Sequence, residues 1–234
     1  MSTLADTAVK ETLERLHKRA AGDWRIFLRA VPRVIGGAFA GRGAVESAKP
    51  LLREAFIPID AAQGRAIYQL ARAAGACRIV EFGCSFGIST IYLAAAVRDN
   101  GGGQVITTEM EPNKVSQALA NFEAAGLSGM IDLRAGDALK TLSRLDDPVD
   151  LVFLDGWKEL CLPVLKQLEP ALRPNAVVLC DDMRGFRRTL KPYVDYVRSP
   201  NGPYVSMGLP LGDELEFSVY LPPSASSRPA ADRS

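Results

Sequence analysis

Histidine and paired cysteines are almost absent from this sequence, which has one histidine and four cysteines in 234 residues. Cys77, Cys84, Cys161 and Cys180 lack the C-x-x-C spacing of a zinc site and the density of a disulfide scaffold. We therefore expect four reduced, buried cysteines, as in a cytoplasmic protein. His17 lies in the N-terminal segment, away from every predicted strand end, and we expect it to be a surface residue.

The sequence also lacks an excess charge of either sign and a long apolar run. Its 28 lysines and arginines face 27 aspartates and glutamates, so no net field attracts a phosphate backbone or an anionic membrane. The N-terminus has no continuous apolar stretch of the kind found in signal peptides and membrane spans. These absences predict a cytoplasmic protein that binds neither nucleic acid nor membranes.

A chain of this length fits one α/β domain with an appendage. Apolar residues at helical spacing (Val9, Leu13, Leu16 and Ala20) predict an amphipathic N-terminal helix, and residues 36–43 are glycine-rich, as in a flexible connection. We predict three regions: an N-terminal helical segment that could cover a site (1–57), the main domain (58–221) and a disordered tail (222–234), which has almost no large apolar residue.

The middle of the chain alternates short apolar runs with helix-like stretches. A helix opened by Asp60 with Gln63 three residues later, and closed by Gly75, precedes the first run. The predicted strands are 79–82, 105–107, 131–133, 151–154 and 177–180. Such alternation is typical of a doubly wound, Rossmann-like α/β fold with a mostly parallel sheet. Two further β-rich runs, 204–207 and 215–221, are joined by a turn and predict an antiparallel C-terminal pair.

Ligands of open α/β sheets bind beyond the carboxyl ends of the strands, and polar or small residues follow the strands here. Gly83 and Gly87 form a G-x-x-x-G turn after the first strand, where missing side chains let a ligand approach the backbone. This spacing differs from the G-x-G-x-x-G of dinucleotide-binding enzymes and disfavours a dehydrogenase. Glu109, at the end of the second strand, is suited to accepting hydrogen bonds from both hydroxyls of a ribose.

Three ordered segments, VEFGCSFGIST, VITTEMEPNK and AGDAL, resemble the class I S-adenosylmethionine-dependent methyltransferases. In that family the glycine turn lies against the methionine part of the cofactor, the acidic residue binds the ribose, and the residues after the third strand lie near the adenine. The resemblance implies S-adenosyl-L-methionine as cofactor. The residues it implies for cofactor binding are Glu81, Gly83, Ser85, Ser89, Glu109, Met110, Asp137, Ala138 and Asp155.

The stretch FLDGWKELCLPVLKQLEPALRPNAVVLCDDM resembles the metal-dependent catechol and caffeoyl-CoA O-methyltransferases. Asp155, Asp181 and Asp182 bring three carboxylates to neighbouring strand ends, and such an oxygen-only cluster suits Mg²⁺, or alternatively Mn²⁺ or Ca²⁺. The family usually has Asp-Asn at the last two positions; an extra carboxylate should retain or strengthen cation binding. The alternative is that one or two of these aspartates only cap helices or turns.

Lys158 lies three residues after Asp155, so both side chains can face one cavity. An ammonium beside a divalent cation is driven towards its neutral form, which makes Lys158 a candidate general base. Its alternative role is a surface lysine paired with Glu159. The resemblance further implies that Trp157 and Glu216 contact the methyl acceptor, although Glu214 competes for the second role.

These observations lead to one functional expectation with two alternatives. We expect an S-adenosylmethionine-dependent O-methyltransferase that uses a divalent cation and methylates a hydroxyl of a small catechol-like aromatic or natural-product acceptor. The alternatives are a metal-independent methyltransferase and a module that binds the cofactor without catalysis. The amphipathic N-terminal helix and the β-rich C-terminal end make a homodimer plausible.

Overall fold

A computed structural model describes residues 2–22 and 59–222 of the chain. Its seven strands are β1 (Arg78–Phe82), β2 (Gln104–Glu109), β3 (Ile131–Ala135), β4 (Val149–Leu154), β5 (Leu172–Cys180), β6 (Tyr204–Leu209) and β7 (Leu215–Tyr220). They form one sheet in the order β3-β2-β1-β4-β5-β7-β6. Strands β1 to β5 pair in parallel, while β7 runs antiparallel between β5 and β6. The predicted mostly parallel sheet with an antiparallel C-terminal pair is confirmed.

Helices cover both faces of this sheet. The α-helices among the described residues are α1 (Thr7–Gly22), α2 (Ala61–Ala73), α3 (Ile88–Asp99), α4 (Pro112–Ala124), α5 (Ala138–Thr141), α6 (Cys161–Leu168) and α7 (Lys191–Val197). Side chains alternate along each strand, so Ile79 packs into the core beneath α1 to α4, whereas Val80 packs into the core beneath α5 to α7. The strands are consequently apolar on both faces, as is typical of parallel sheets.

Helix α1 is the predicted amphipathic helix, and it packs onto the main domain. Val9, Leu13 and Leu16 are buried in the same core as α2, α3 and α4. The carboxylate of Asp99, at the end of α3, accepts hydrogen bonds from the backbone N–H and the Oγ1 hydroxyl of Thr3. The glycine-rich residues 36–43, with the rest of 23–58, and the tail from residue 223 lie outside the described residues, so the covering role of residues 1–57 and the disordered tail remain predictions.

His17 is not the surface residue that the sequence led us to expect. Its Nε2 lies 3.2 Å from the hydroxyl oxygen of Tyr92 on α3, and desolvation by burial lowers the pKa of its imidazole. The expectation was wrong because α1 lies flat on α3, so even the flank of the helix is partly covered.

Helix α2 begins at the predicted capping box. Asp60 Oδ1 accepts hydrogen bonds from the backbone N–H groups of Ala62 and Gln63, and Gln63 Oε1 accepts one from the N–H of Asp60. The helix ends at Ala73, and Gly75 follows in the left-handed conformation. Both predicted ends are confirmed, and Gln63 is thereby fixed at the start of the helix.

Three of the four cysteines are buried as expected, and Cys77 is more exposed than the sequence predicts. Cys84, Cys161 and Cys180 are buried, Cys77 is partly buried, and all four are free thiols. Within residues 2–22 and 59–222, every helix is too short or too polar to cross a membrane.

The contact between α2 and α3 depends on Gly64. A Cβ atom built at this position would overlap the ring of Tyr92. We predict that Gly64→Ala lowers the free energy of unfolding by about 1–2 kcal/mol, because overpacking outweighs the gain in helix propensity. Urea denaturation measures the change. Gly129→Ala is the matched control, since no atom lies within 4 Å of the Cβ it would add; equal stabilities for the two variants would contradict this account of the contact.

Candidate active site

The register of the sheet brings four loop segments to one edge. Phe82 pairs with Thr108 on one side and Leu154 on the other, and Leu154 in turn pairs with Cys180. The residues that follow these strand ends therefore lie side by side. They comprise the glycine turn after β1, Glu109 at the end of β2, Asp155 to Lys158 after β4, and Asp181 with Asp182 after β5.

The glycine turn needs both of its glycines. Gly83 has φ +102°, and a Cβ there would lie 2.6–2.7 Å from backbone atoms of Asp155 and Gly156. Gly87 has φ +87° and precedes α3, whose N-terminus has no side-chain cap. Unsatisfied N–H groups at a helix N-terminus are suited to binding an anionic group, such as the carboxylate of an amino acid.

Glu109 ties the glycine turn to the end of β2. Its Oε2 accepts a hydrogen bond from the N–H of Ser85 at 2.8 Å, and its Oε1 accepts from the N–H groups of Met110 and Glu111 at 2.8 and 2.9 Å. The side chain of Met110 is exposed beside it. An ionised carboxylate has about four acceptor positions, so Glu109 can hold the loop and still receive a hydroxyl.

Asp137 and Ala138 follow β3 in the loop that adjoins the end of β2. The N–H of Gly136 donates to the carbonyl oxygen of Glu109, which places the loop after β3 against the end of β2. Asp137 caps the short helix α5 by accepting from the N–H of Leu139, and Ala138 is buried. The structure therefore brings together the residues that the sequence assigns to the ribose and adenine.

Glu81 lies beneath the glycine turn and is fully buried. Its Oε2 accepts hydrogen bonds from the hydroxyls of Thr90 and Thr107, and its Oε1 is buried without a well-aligned hydrogen bond from any of the residues that the structure describes. Desolvation raises the pKa of Glu81 from 4.5 to about 7; hydroxyl groups, including that of Ser89, oppose this rise, and the charge of Asp155 adds to it. Glu81 and Ser89 thus support the turn from inside rather than presenting their polar atoms at its surface.

Lys158 forms a buried ion-pair bridge. Its Nζ lies 2.9 Å from Asp155 Oδ1 and 2.9 Å from Asp182 Oδ2, and 8% of its side chain is exposed. Desolvation would lower the pKa of Lys158, but the two carboxylates raise it well above its ordinary value. Lys158 is therefore held as an ammonium here, whereas a general base requires a neutral amine. The alternative pairing with Glu159 is not the arrangement observed.

Asp181 occupies a different place in the cluster. Its Oδ1 accepts hydrogen bonds from Gln63 Nε2 at 2.9 Å and from the N–H of Asp182 at 2.8 Å. Desolvation and the neighbouring charges of Asp155 and Asp182 raise its pKa to about 8. Sequence reasoning assigned Gln63 only to the capping box, because nothing in the sequence showed that its amide nitrogen would reach the end of β5.

The three aspartates fit a divalent cation in kind and in charge. They supply oxygen donors, and three carboxylates carry more charge than the ammonium of Lys158; burial, followed by the charges of Asp155 and Asp182, raises the pKa of Asp181. In the part of the chain that the structure describes, however, no group of three or more acidic, histidine or cysteine side chains already has the arrangement of a metal site. The ammonium of Lys158 instead bridges two of the three carboxylates.

Trp157 and Glu216, the two residues predicted to contact the acceptor, have different surroundings in the structure. Trp157 lies between Asp155 and Lys158 in sequence, partly buried at the edge of the cluster. Glu216 is fully buried in β7, where both its oxygens pair with the Arg198 guanidinium at 2.5 and 2.7 Å and Ser206 Oγ donates to it. This geometry favours a structural role for Glu216, against the expectation that it contacts an acceptor. Glu214 precedes β7 with φ +69° and lies 4.0 Å from Arg184.

The buried Glu81 predicts a measurable pH dependence of stability. Its pKa is higher in the folded protein than in the unfolded chain, so its contribution to stability is complete below pH 4.5 and is lost as the pH rises through about 7. We predict that the unfolding free energy of Glu81→Gln, relative to the unmodified protein, rises by about 3 kcal/mol over this range. Urea denaturation at several pH values measures it, with the exposed Glu123→Gln as control. A difference that is constant with pH would contradict the prediction.

Comparisons with known proteins find similar sequences and similar folds among methyltransferases. Residues 80–183 match a family described as a methyltransferase domain. Catechol O-methyltransferases of Mycobacterium tuberculosis and Niastella koreensis are 34% and 31% identical over 54% and 60% of this chain. The matches span 57% and 66% of those two proteins. An O-methyltransferase from Bacillus cereus, solved in complex with SAH, has the same fold, with a TM-score of 0.64 and 23% identity over 70% of this chain and 82% of its own. The chain is therefore similar in sequence to catechol O-methyltransferases over little more than half of its length, and it shares the fold of the Bacillus cereus O-methyltransferase; its motifs predict the same kind of relative.

Proposed function

We propose that this protein transfers the methyl group of S-adenosylmethionine to a hydroxyl of a small catechol-like aromatic acceptor, with the help of a divalent cation. The main support for the proposal is the contact between the glycine turn after β1 and the loop after β4, which contains Asp155 of the acidic cluster. Gly83 approaches the backbone of Asp155 and Gly156 so closely that a Cβ would not fit, and Asp155 is paired with Lys158. A cofactor seated on the turn therefore reaches an acceptor bound at the carboxylates.

The cofactor half of the site is made of backbone groups and one carboxylate. The uncapped N-terminus of α3 suits the carboxylate of the methionine moiety, and Glu109 suits the ribose hydroxyls. The sulfonium methyl group is already activated, so the protein has mainly to align the donor with the acceptor oxygen and to exclude competing geometries. The names of the two catechol O-methyltransferase relatives support this reaction class.

In the acceptor half, Asp155, Asp181 and Asp182 are the residues that would hold the cation. A bound divalent cation would orient the acceptor oxygens and lower the pKa of the hydroxyl. We expect Lys158 Nζ to receive the hydroxyl proton, which requires that a bound cation first displaces it from the two carboxylates and that its own proton passes to water. We expect Trp157, which is partly buried and adjoins Lys158 in sequence, to limit the size of the acceptor.

That same bridge favours a second candidate function, a metal-independent methyltransferase. The Lys158 ammonium already neutralises part of the charge of Asp155 and Asp182, so the cluster has an internal cation. In this version the acceptor hydroxyl binds to the aspartates directly, and chelators leave turnover unchanged. A cofactor-binding module without catalysis, by contrast, would show no turnover of any acceptor.

Glu109 gives the sharpest test of the cofactor half. We predict that Glu109→Ala weakens binding of S-adenosylhomocysteine by about 10- to 100-fold, because it removes a charged acceptor from both the ribose and the N–H of Ser85. Isothermal titration calorimetry measures the affinity. Glu123→Ala, an exposed glutamate on α4, should bind like the unmodified protein. Equal affinity of Glu109→Ala and this control would contradict the assignment of the ribose site.

A substitution of Lys158 tests the proposed acceptor site separately from the cofactor site. We predict that Lys158→Met lowers kcat for catechol methylation by at least about 100-fold, because it removes the amine that is proposed to take the hydroxyl proton. Affinity for S-adenosylhomocysteine should be retained. Lys191→Met is the control, since Lys191 is an exposed lysine paired with Asp195 four residues later. A loss of kcat no larger than in that control would show that Lys158 does not handle the proton.

A further inference from the structure

Gln63 connects two parts of the molecule that are far apart in sequence. Its amide nitrogen donates a hydrogen bond of 2.9 Å to Asp181 Oδ1, and the bond is buried. Gln63 stands in the first turn of α2, before the sheet begins, whereas Asp181 follows its fifth strand. The side chain of Gln63 is itself almost fully buried, with 8% exposed. A buried amide aimed at a candidate metal-binding carboxylate calls for an explanation beyond helix capping.

The orientation of this amide is fixed by its other end. Gln63 Oε1 accepts the hydrogen bond from the N–H of Asp60 at 3.1 Å, so the oxygen is committed to the capping box and the nitrogen must point towards Asp181. A flipped amide would set its NH₂ group against the N–H of Asp60 and its oxygen against a carboxylate. The capping box thus does two things: it starts α2, and it aims a donor at the acidic cluster.

The turn between β6 and β7 holds the amide in place from the other side. A Cβ built on Gly212 would overlap the amide carbon and nitrogen of Gln63, and Gly212 has φ +55°. Only glycine therefore lets this turn pack against the amide. Gln63 thus contacts the start of α2, the end of β5 and the turn before β7.

We propose that Gln63 is a positioning residue that fixes the Asp181 carboxylate for cation binding. Both donors to Asp181, the Gln63 amide and the Asp182 N–H, address Oδ1. The hydrogen bonds found among the described residues therefore leave Oδ2 for a ligand in a defined direction. Partners that orient a ligating carboxylate commonly change metal affinity by about 10- to 100-fold when they are removed. This inference rests on the proposed cation site at Asp155, Asp181 and Asp182.

The test measures direct binding of Mn²⁺ by electron paramagnetic resonance, in the absence of cofactor and acceptor. We expect Gln63→Met, which keeps the length of the side chain but loses the donor, to weaken Mn²⁺ binding by at least about tenfold. Gly212→Ala should weaken it as well, because the added methyl group displaces the amide without removing it. This second variant keeps the test possible if Gln63→Met folds poorly.

Two controls separate positioning from stability. Gln117→Met makes the same chemical change at a partly buried position on α4, where the amide donates hydrogen bonds to Asn113 of its own helix, and should bind Mn²⁺ normally. Asp60→Ala removes the side-chain cap of α2 but retains the N–H that orients Gln63. It should lower the melting temperature and leave Mn²⁺ affinity unchanged.

The outcomes distinguish failure of the inference from failure of the proposed function. If the unmodified protein binds Mn²⁺ and Gln63→Met binds it equally well, Gln63 is not a positioning residue, and the cation site stands. If Asp60→Ala weakens binding as much as Gln63→Met, the effect belongs to the stability of α2, and the inference is also wrong. If the unmodified protein does not bind Mn²⁺, the proposed cation site fails and the inference falls with it.

Discussion

The close approach of the Gly83 turn to the backbone after β4 is the constraint on which the site depends. Parallel pairing of β1 with β4 sets Phe82 beside Leu154, so the two loops leave the sheet at the same level. They can touch only because neither carries a side chain at the contact: a Cβ on Gly83 would strike the backbone of Gly156, and a Cβ on Gly156 would overlap the ring of Phe82. Cofactor and acceptor chemistry are thereby brought to adjoining loops.

The second feature is an excess of carboxylate groups over ammonium groups in the partly buried acidic cluster. The buried ammonium of Lys158 pairs with Asp155 and Asp182, whereas Asp181 accepts hydrogen bonds from Gln63 and from the N–H of Asp182. Removing an unpaired charge from water is costly, so such a cluster tends to take up a proton or a cation. The raised pKa of Asp181 is the proton-binding form of this tendency. Cation binding is the other form, and it would change the state of Lys158, since the cation and the ammonium compete for the same carboxylates.

Sequence patterns predicted most of the fold and which loops lie at one edge of the sheet. Alternating apolar runs predicted all the parallel strands, and the capping box predicted the start of α2, because both signals are local. The positions after the strands predicted that Glu109, Asp155 and Asp181 would meet, since parallel strands end at one edge. The burial of His17 was missed because it depends on how α1 lies on α3.

The long-range contacts of Gln63 and Glu216 could not be predicted for a related reason. Each depends on a partner distant in sequence: Asp181 lies 118 residues from Gln63, and Arg198 lies on the chain before β6 rather than beside Glu216 in β7. Local pattern could place Gln63 at a helix start and Glu216 on a strand, but not the direction of either side chain. Tertiary packing decides such directions, so they became visible only in the folded molecule.

We propose that this edge of the sheet performs cation-assisted methyl transfer. Mass spectrometry of the product formed from catechol and S-adenosylmethionine, with and without excess chelator, tests this proposal. We expect a monomethylated product whose formation stops with chelator and resumes when Mg²⁺ is restored in excess. Methylation that continues unchanged in chelator would contradict the cation site and favour Lys158 as the internal cation, and no methylation under either condition would contradict the proposed activity towards catechol.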